Sequence, residues 1–312
     1  MLPSEDIFIL RCNALNLPSS FFEQQTVNLK EVEFRKLTKL SAKKQKQIRE
    51  DAADFLSRYV ELEKLMGVLD RFENPFGERP VVKTRDDAEK YALQLRKLWK
   101  LGTHPIQNVT ELLEAKHLKV QEISVDAKFE GMAAMAEYEG IPHYVVVINA
   151  FDRPSVRKRL TCLHELAHLC FDLSHIKDER LAETLCHHAA GALLLPEKEL
   201  KDMIDSTRRK KIAVRELVAV KEKFGIALSA VLFRLQYFGI ITDSYAKSQF
   251  RYFSMKKWRG PQEPGNYPVK EYSARMSLLL DRGVEEGIIS ISKAAHLAGK
   301  TTDEFMNDTA YR

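Results

Sequence analysis

The chain has 312 residues, 45% of them hydrophobic and 30% charged, with a formal net charge of +5. That length supports two or three compact units, and the spread of apolar and aromatic residues excludes a disordered polypeptide. No apolar run approaches the roughly 20 residues of a membrane-spanning helix, and the start, Met1-Leu2-Pro3-Ser4-Glu5-Asp6, is not that of a signal peptide. None of the four cysteines, Cys12, Cys162, Cys170 and Cys186, forms a C-x-x-C pair. They read as small core residues in a reducing compartment, so a soluble, cytoplasmic protein is expected. Basic clusters at 43–49, 157–159, 208–211 and 256–259 read as solvated helix faces and loop ends, with nucleic acid as the alternative.

Residues 1–72 read as helical. A first helix over 4–16 ends before Pro18, and a long charged helix over about 41–67 stops at Gly67. The stretch 74–80, with Pro75, Gly77 and Pro80, reads as a linker. The next block, 81–205, opens with helices at 85–101 and 106–116. Strand-like runs follow at 118–124, 129–137 and 144–149, the last two joined through Gly140-Ile141-Pro142 as a hairpin. Helix returns at 154–172 and 178–194, stopping at Pro196. Residues 206–245 contain a helix pair, with Gly225 in its connection, that has the outline of a helix-turn-helix. The remainder, 246–312, has a Pro/Gly-rich stretch at 260–268 and helices at about 270–286 and 290–307.

Chemistry concentrates in His164-Glu165-Leu166-Ala167-His168. Spacing of four on a helix puts both imidazoles on one face, one turn apart, within reach of a single Zn2+. Glu165 suits the general base that takes a proton from water. The neighbours Leu163, Leu169 and Cys170 make this a nearly all-round apolar helix, and histidine and glutamate buried there need a partner. A catalytic zinc needs a third protein ligand and one open position. A further histidine in the pattern H-E-x-x-H-x-x-G-x-x-H is excluded, because Phe171 and Ser174 occupy its positions. A glutamate on the following helix is the other solution, with Glu179 and Glu183 as candidates.

The segment from Glu183 through Cys186-His187-His188 to Leu193-Leu194-Leu195-Pro196 resembles the ImmA/IrrE family of zinc metallopeptidases. In that family a ligand glutamate stands thirteen residues before the proline, which implies Glu183 as third ligand. Cys186, His187 and Ala189 depart from the family's usual Ala, Asn and Phe. His187, one turn after Glu183, is a candidate for hydrogen bonding to a ligand. The resemblance implies an α+β fold: a zincin-like domain with a small antiparallel sheet, flanked by helical N- and C-terminal regions. Residues 15–67, with Phe34-Arg35-Lys36-Leu37, are similar to the helical connector after an Xre-type helix-turn-helix domain. The chain thus resembles a member with most of that N-terminal reader missing.

The resemblance also implies a Zn2+-dependent endopeptidase that makes a limited cut in a regulatory protein, a repressor or an antitoxin. Two alternatives are a non-catalytic, zinc-binding transcriptional regulator and an antitoxin-type partner-binding protein. DNA is kept open as a partner by Arg234, Gln236 and the 208–211 cluster, and no membrane is expected. Tyr144, His175 and His187 are the candidates for a group that stabilises the developing oxyanion.

Overall fold

The computed structural model describes residues 28–30, 40–125, 129–151, 154–204, 207–258 and 260–308. The expected first helix at 4–16 and the segment 34–37 lie outside them, as does Cys12.

The centre is a four-stranded sheet of order β1-β3-β4-β2, made of β1 (Asn28–Lys30), β2 (Lys119–Ile123), β3 (Gly131–Tyr138) and β4 (Ile141–Asn149). β3 and β4 form the expected antiparallel hairpin. Its turn is Glu139-Gly140, in which Glu139 (φ 51°) and Gly140 (φ 78°) are left-handed, and Pro142 already belongs to β4, opposite Glu137. β1 also runs antiparallel to β3, over Met135 to Glu137. β2 differs from the expected antiparallel sheet. It lies on the far side of β4 and parallel to it, in register from Lys119↔Val145 to Ile123↔Asn149.

β4 carries Val145-Val146-Val147-Ile148, a β-branched run buried on both faces. The pleat sends alternate side chains to opposite layers. Val145 and Val147 join Met132, Ala134 and Ala136 on one face. Val146 and Ile148 join Ala133 on the other.

Helix α1 (Ala42–Leu65) covers the first face. Its Ile48, Ala52, Leu56 and Val60 recur every four residues and form one buried stripe. Gly67 (φ 66°) follows the cap residue Met66. The other face is covered by α4 (Ser155–Cys170), on which α5 (Glu179–Leu194) and α3 (Val109–Glu114) pack, with α2 (Arg85–Leu98) packed in turn on α5. Beyond them lie α6 (Glu197–Ile204), α7 (Val214–Phe224), α8 (Leu228–Tyr237) and α9 (Asp243–Met255). The C-terminal helices α10 (Arg275–Glu285), α11 (Ile291–Ala298) and α12 (Thr302–Asp308) pack with Leu62 and Met66 of α1.

Two helices are new relative to the sequence reading. α6 begins directly after Pro196, so the proline that closes α5 also opens the next helix. α9 starts from Thr242, whose hydroxyl accepts from Tyr245 N. The segment 290–307, expected as one helix, breaks into α11 and α12 at Gly299 (φ 71°). Among the described residues no helix is long and apolar enough to cross a membrane.

Buried charge ties these layers together. Arg159 of α4 is fully buried, ion-paired with Glu271, and donates to Gly225 O (3.0 Å), Gln107 O (3.1 Å) and Ile106 O (2.6 Å). Glu271 in turn accepts from the first backbone N–H groups of α3, at Val109 (2.8 Å) and Thr110 (3.2 Å). Part of the 157–159 basic cluster is therefore an internal brace. Lys158, its neighbour, pairs with Glu122 at 2.6 Å.

Candidate metal centre

Helix α4 is buried on almost every side over its second half, from Cys162 to Cys170. Within this apolar stretch His164 is 0%, Glu165 3% and His168 5% exposed. Such groups keep their place only where something compensates the lost hydration. Helix α5 crosses α4, and its first turns bring in the third group. Glu183 Oε1 is 3.1 Å from His168 Nε2, Glu183 Oε2 is 3.3 Å from His164 Nε2, and the two Nε2 atoms are 3.1 Å apart. Glu179, the alternative third ligand, opens α5 on an exposed turn.

Those spacings are a test of fit. Ligands of a tetrahedral zinc at about 2.0–2.1 Å stand about 3.3–3.4 Å from one another. The three separations here fall close to that edge length. Two imidazole nitrogens and a carboxylate directed at one point also suit a cation chemically, since each offers it a lone pair. His164, His168 and Glu183 therefore fit Zn2+.

His187 adds a fourth donor. Its ring lies on His164, with centroids 4.1 Å apart, and donor atoms of His164, Glu183 and His187 all lie within 4.8 Å of one another. The tighter set is His164, His168 and Glu183, because its contacts match the tetrahedral edge and the wider limit does not. His187 is exposed, as a group facing an open coordination position should be. Tyr144 instead packs edge-on against Phe72 at 5.7 Å. His175 is exposed on the turn before α5.

Several supports of this centre have no signature in the sequence. Arg79, in the stretch expected as a linker, donates to the carbonyls of His168 (2.6 Å) and Phe171. A guanidinium at the C-terminal end of α4 satisfies orphan carbonyls and opposes the helix dipole. Asn74 adds a bond to Cys170 O at 3.0 Å, and the backbone of Asp172 bonds to Pro80 O at 2.9 Å. The stretch 74–80 is thus a strap over the end of the histidine helix. Gly131 of β3 lies against the same helix. A Cβ there would stand 2.5 Å from Thr161 Cγ2, 3.0 Å from Val147 O and 3.5 Å from Glu165 Oε1. Only glycine lets the strand approach this closely.

The neighbouring histidine looks the other way. His188 Nε2 is 3.0 Å from Glu89 Oε2 on α2, and the same carboxylate is ion-paired with Arg234 of α8. Arg234 Nη2 adds bonds to Glu89 Oε1 at 2.8 Å and Leu195 O at 2.9 Å. Burial alone would raise the Glu89 carboxyl, but Arg234 and His188 outweigh it and hold it below its ordinary value. Arg234, kept above as a candidate for DNA contact, is 2% exposed and committed to this cluster. Gln236 bonds to Asp243 at 2.9 Å.

Cys162, Cys170 and Cys186 are free and buried, as small core residues should be. Burial pushes the Cys170 thiol up to about 12 and raises that of Cys186 despite its contact with His168. Neither is a reactive thiolate near neutral pH.

Residues 120–236 match the model of a peptidase family, M78, described as the IrrE N-terminal-like domain. The match begins in β2, spans α4 and α5 and ends in α8. A curated relative, the radiation response metalloprotease IrrE of Deinococcus radiodurans, is 35% identical over 105 residues. That alignment covers 30% of this chain and 31% of the relative.

Proposed function

We propose that the chain, through residues 120–236, is a metallopeptidase of the ImmA/IrrE type, and that it is a zinc-dependent endopeptidase making a limited cut in a regulatory protein. The observation that carries this reading is the 3.1–3.3 Å triangle of His164, His168 and Glu183 beside Glu165. His164, His168 and Glu183 would hold the metal. Bound zinc supplies a Lewis acid and lowers the pKa of water. The Glu165 carboxylate takes a proton from the attacking water and returns it to the departing amide nitrogen. His187 would donate a ring N–H to the oxyanion that develops on the scissile carbonyl. The apolar wall around α4 limits bulk water and strengthens these electrostatic interactions. The substrate we propose is a repressor or an antitoxin-like protein, met in the cytoplasm, a reducing compartment in which three buried thiols stay free.

Metal analysis together with a Glu165→Gln comparison tests the reading. Protein purified without chelator should hold about one zinc per chain. Glu165→Gln should keep that zinc and lose about 10^2- to 10^4-fold in cleavage of candidate repressor proteins. Absence of zinc, or cleavage that survives Glu165→Gln, would rule it out.

A second reading rests on His187. Four protein donors make a closed structural zinc site rather than a catalytic one, and the proximity of His187 to His164 and Glu183 supports a zinc-binding regulator or partner-binding protein without hydrolysis. Cobalt substitution separates the two. Identical visible spectra for the parent and His187→Ala favour the open, catalytic site. A change toward an added water ligand in His187→Ala favours the closed one.

A further inference from the structure

A cleft of about 490 Å3 runs between α4, α5, α8 and α9, on the flank of the metal centre. That is within the range of ligand-binding sites. His187 belongs to both, since its ring stacks on His164 and lines the cleft. Thr161 is a second shared wall: it lines the cleft and also lies against Gly131, beside Glu165. A chain seated across the donor cluster would thus place a neighbouring side chain here.

The cleft has an aromatic wall. Phe233 and Phe250 stack at 4.4 Å with planes tilted by 38°, and Phe233 is 54% exposed. A large aromatic surface left in water at the mouth of a cavity is apolar area available for binding. The charged side chains that line the cleft are Arg85, Arg157, Arg234 and Glu130. Arg234 is neutralised by Glu89, but Arg85 is exposed and forms no ion pair or hydrogen bond with the described residues. Glu130 is the one acidic side chain that lines the cleft among the described residues.

We propose that this cleft is the specificity pocket of the enzyme, accepting an aromatic or large aliphatic side chain of the polypeptide substrate next to an acidic residue that pairs with Arg85. The inference rests on the peptidase reading, and it gives that site a substrate class. Phe233 and Phe250 bury the apolar side chain, and Arg85 selects the charge of its neighbour.

The test uses the full chain carrying Glu165→Gln, with and without chelator, and three fluorescein-labelled alanine-based hexapeptides. Their central pairs are phenylalanine-aspartate, alanine-aspartate and phenylalanine-lysine, and binding is followed by fluorescence polarisation. The phenylalanine-aspartate peptide should bind best. Replacing its phenylalanine, or introducing Phe233→Ala, should weaken binding about 10- to 100-fold, the worth of one buried aromatic. Arg85→Glu should remove the preference for aspartate over lysine, an effect of up to about fivefold for an exposed charge. Phe233→Leu, which keeps apolar area, should restore most of the affinity. Equal binding of all three peptides, binding of none, or indifference to both substitutions would overturn the proposal. Peptide selectivity in a protein that never takes up zinc would keep the pocket and remove the peptidase. Zinc and Glu165-dependent cleavage with an indifferent pocket would remove the pocket alone.

Discussion

His187 and His188 are adjacent in the chain and belong to two polar clusters that differ in kind. His188 meets partners from the protein itself: Glu89 pairs with both His188 and Arg234, and Arg234 also donates to the Leu195 carbonyl, which leaves its buried Nε as the one donor without a partner. Such a cluster joins α2, α5 and α8 and pairs its charges without a ligand. His187 stands at the edge of a cluster in which ring nitrogens and a carboxylate converge on one point. A cation held there would give those groups their full compensation. Burial of polar groups therefore does not by itself mark a functional site; the sign and direction of the groups do.

Removing a donor should break that contrast most sharply. His168→Ala is expected to take zinc content from about one per chain to near none, measured by elemental analysis, with the far-ultraviolet circular dichroism unchanged. Loss of the fold along with the metal would mean that the two clusters are not independent. Arg234→Ala should do the reverse. Leaving Glu89 buried with His188 as its remaining partner should cost up to about 3–5 kcal/mol, seen as a lower denaturation midpoint, while the zinc content of the folded protein stays the same.

Gly131→Ala tests the wall between strand and metal helix. Forcing a Cβ to within 2.5 Å of Thr161 Cγ2 should cost about 1–3 kcal/mol of stability and lower activity. Thr161→Ser in the same protein should recover only part, because Val147 O remains 3.0 Å away.

Acid gives the smallest and most graded separation. The folded-state carboxyl of Glu89 lies below its ordinary value of 4.5, so its stabilisation is complete above that value and fades as pH falls through the lowered one. Zinc should leave at higher pH, because its imidazole ligands must be deprotonated. A pH titration of zinc content alongside unfolding should show metal loss first. Coincident transitions would argue that the metal holds the fold together.

How much of this was legible without the structure differs by kind of signal. Period and spacing are local, so α1, the β3–β4 hairpin and the convergence of His164 with His168 follow from residues a few positions apart. Glu183 needed more, since only the resemblance to a known family separated it from Glu179. Arg79 and Gly131 were invisible, because Arg79 acts on His168, 89 residues on, and Gly131 on Thr161, 30 residues on. The parallel placement of β2 and the burial of Arg159 with Glu271, 112 residues away, belong to the same class. Composition gave Arg157, Lys158 and Arg159 a single reading as a basic cluster, yet Arg159 is wholly buried and Lys158 pairs with Glu122. The sequence by itself determined most of the longer elements and which helix carries the candidate metal donors, since backbone periodicity is written locally, while the short helices α6 and α9 and the break at Gly299 escaped it. Only the tertiary structure decided which charges face each other and which cleft opens beside the site, because compensation of a buried charge depends on what the rest of the fold brings to it.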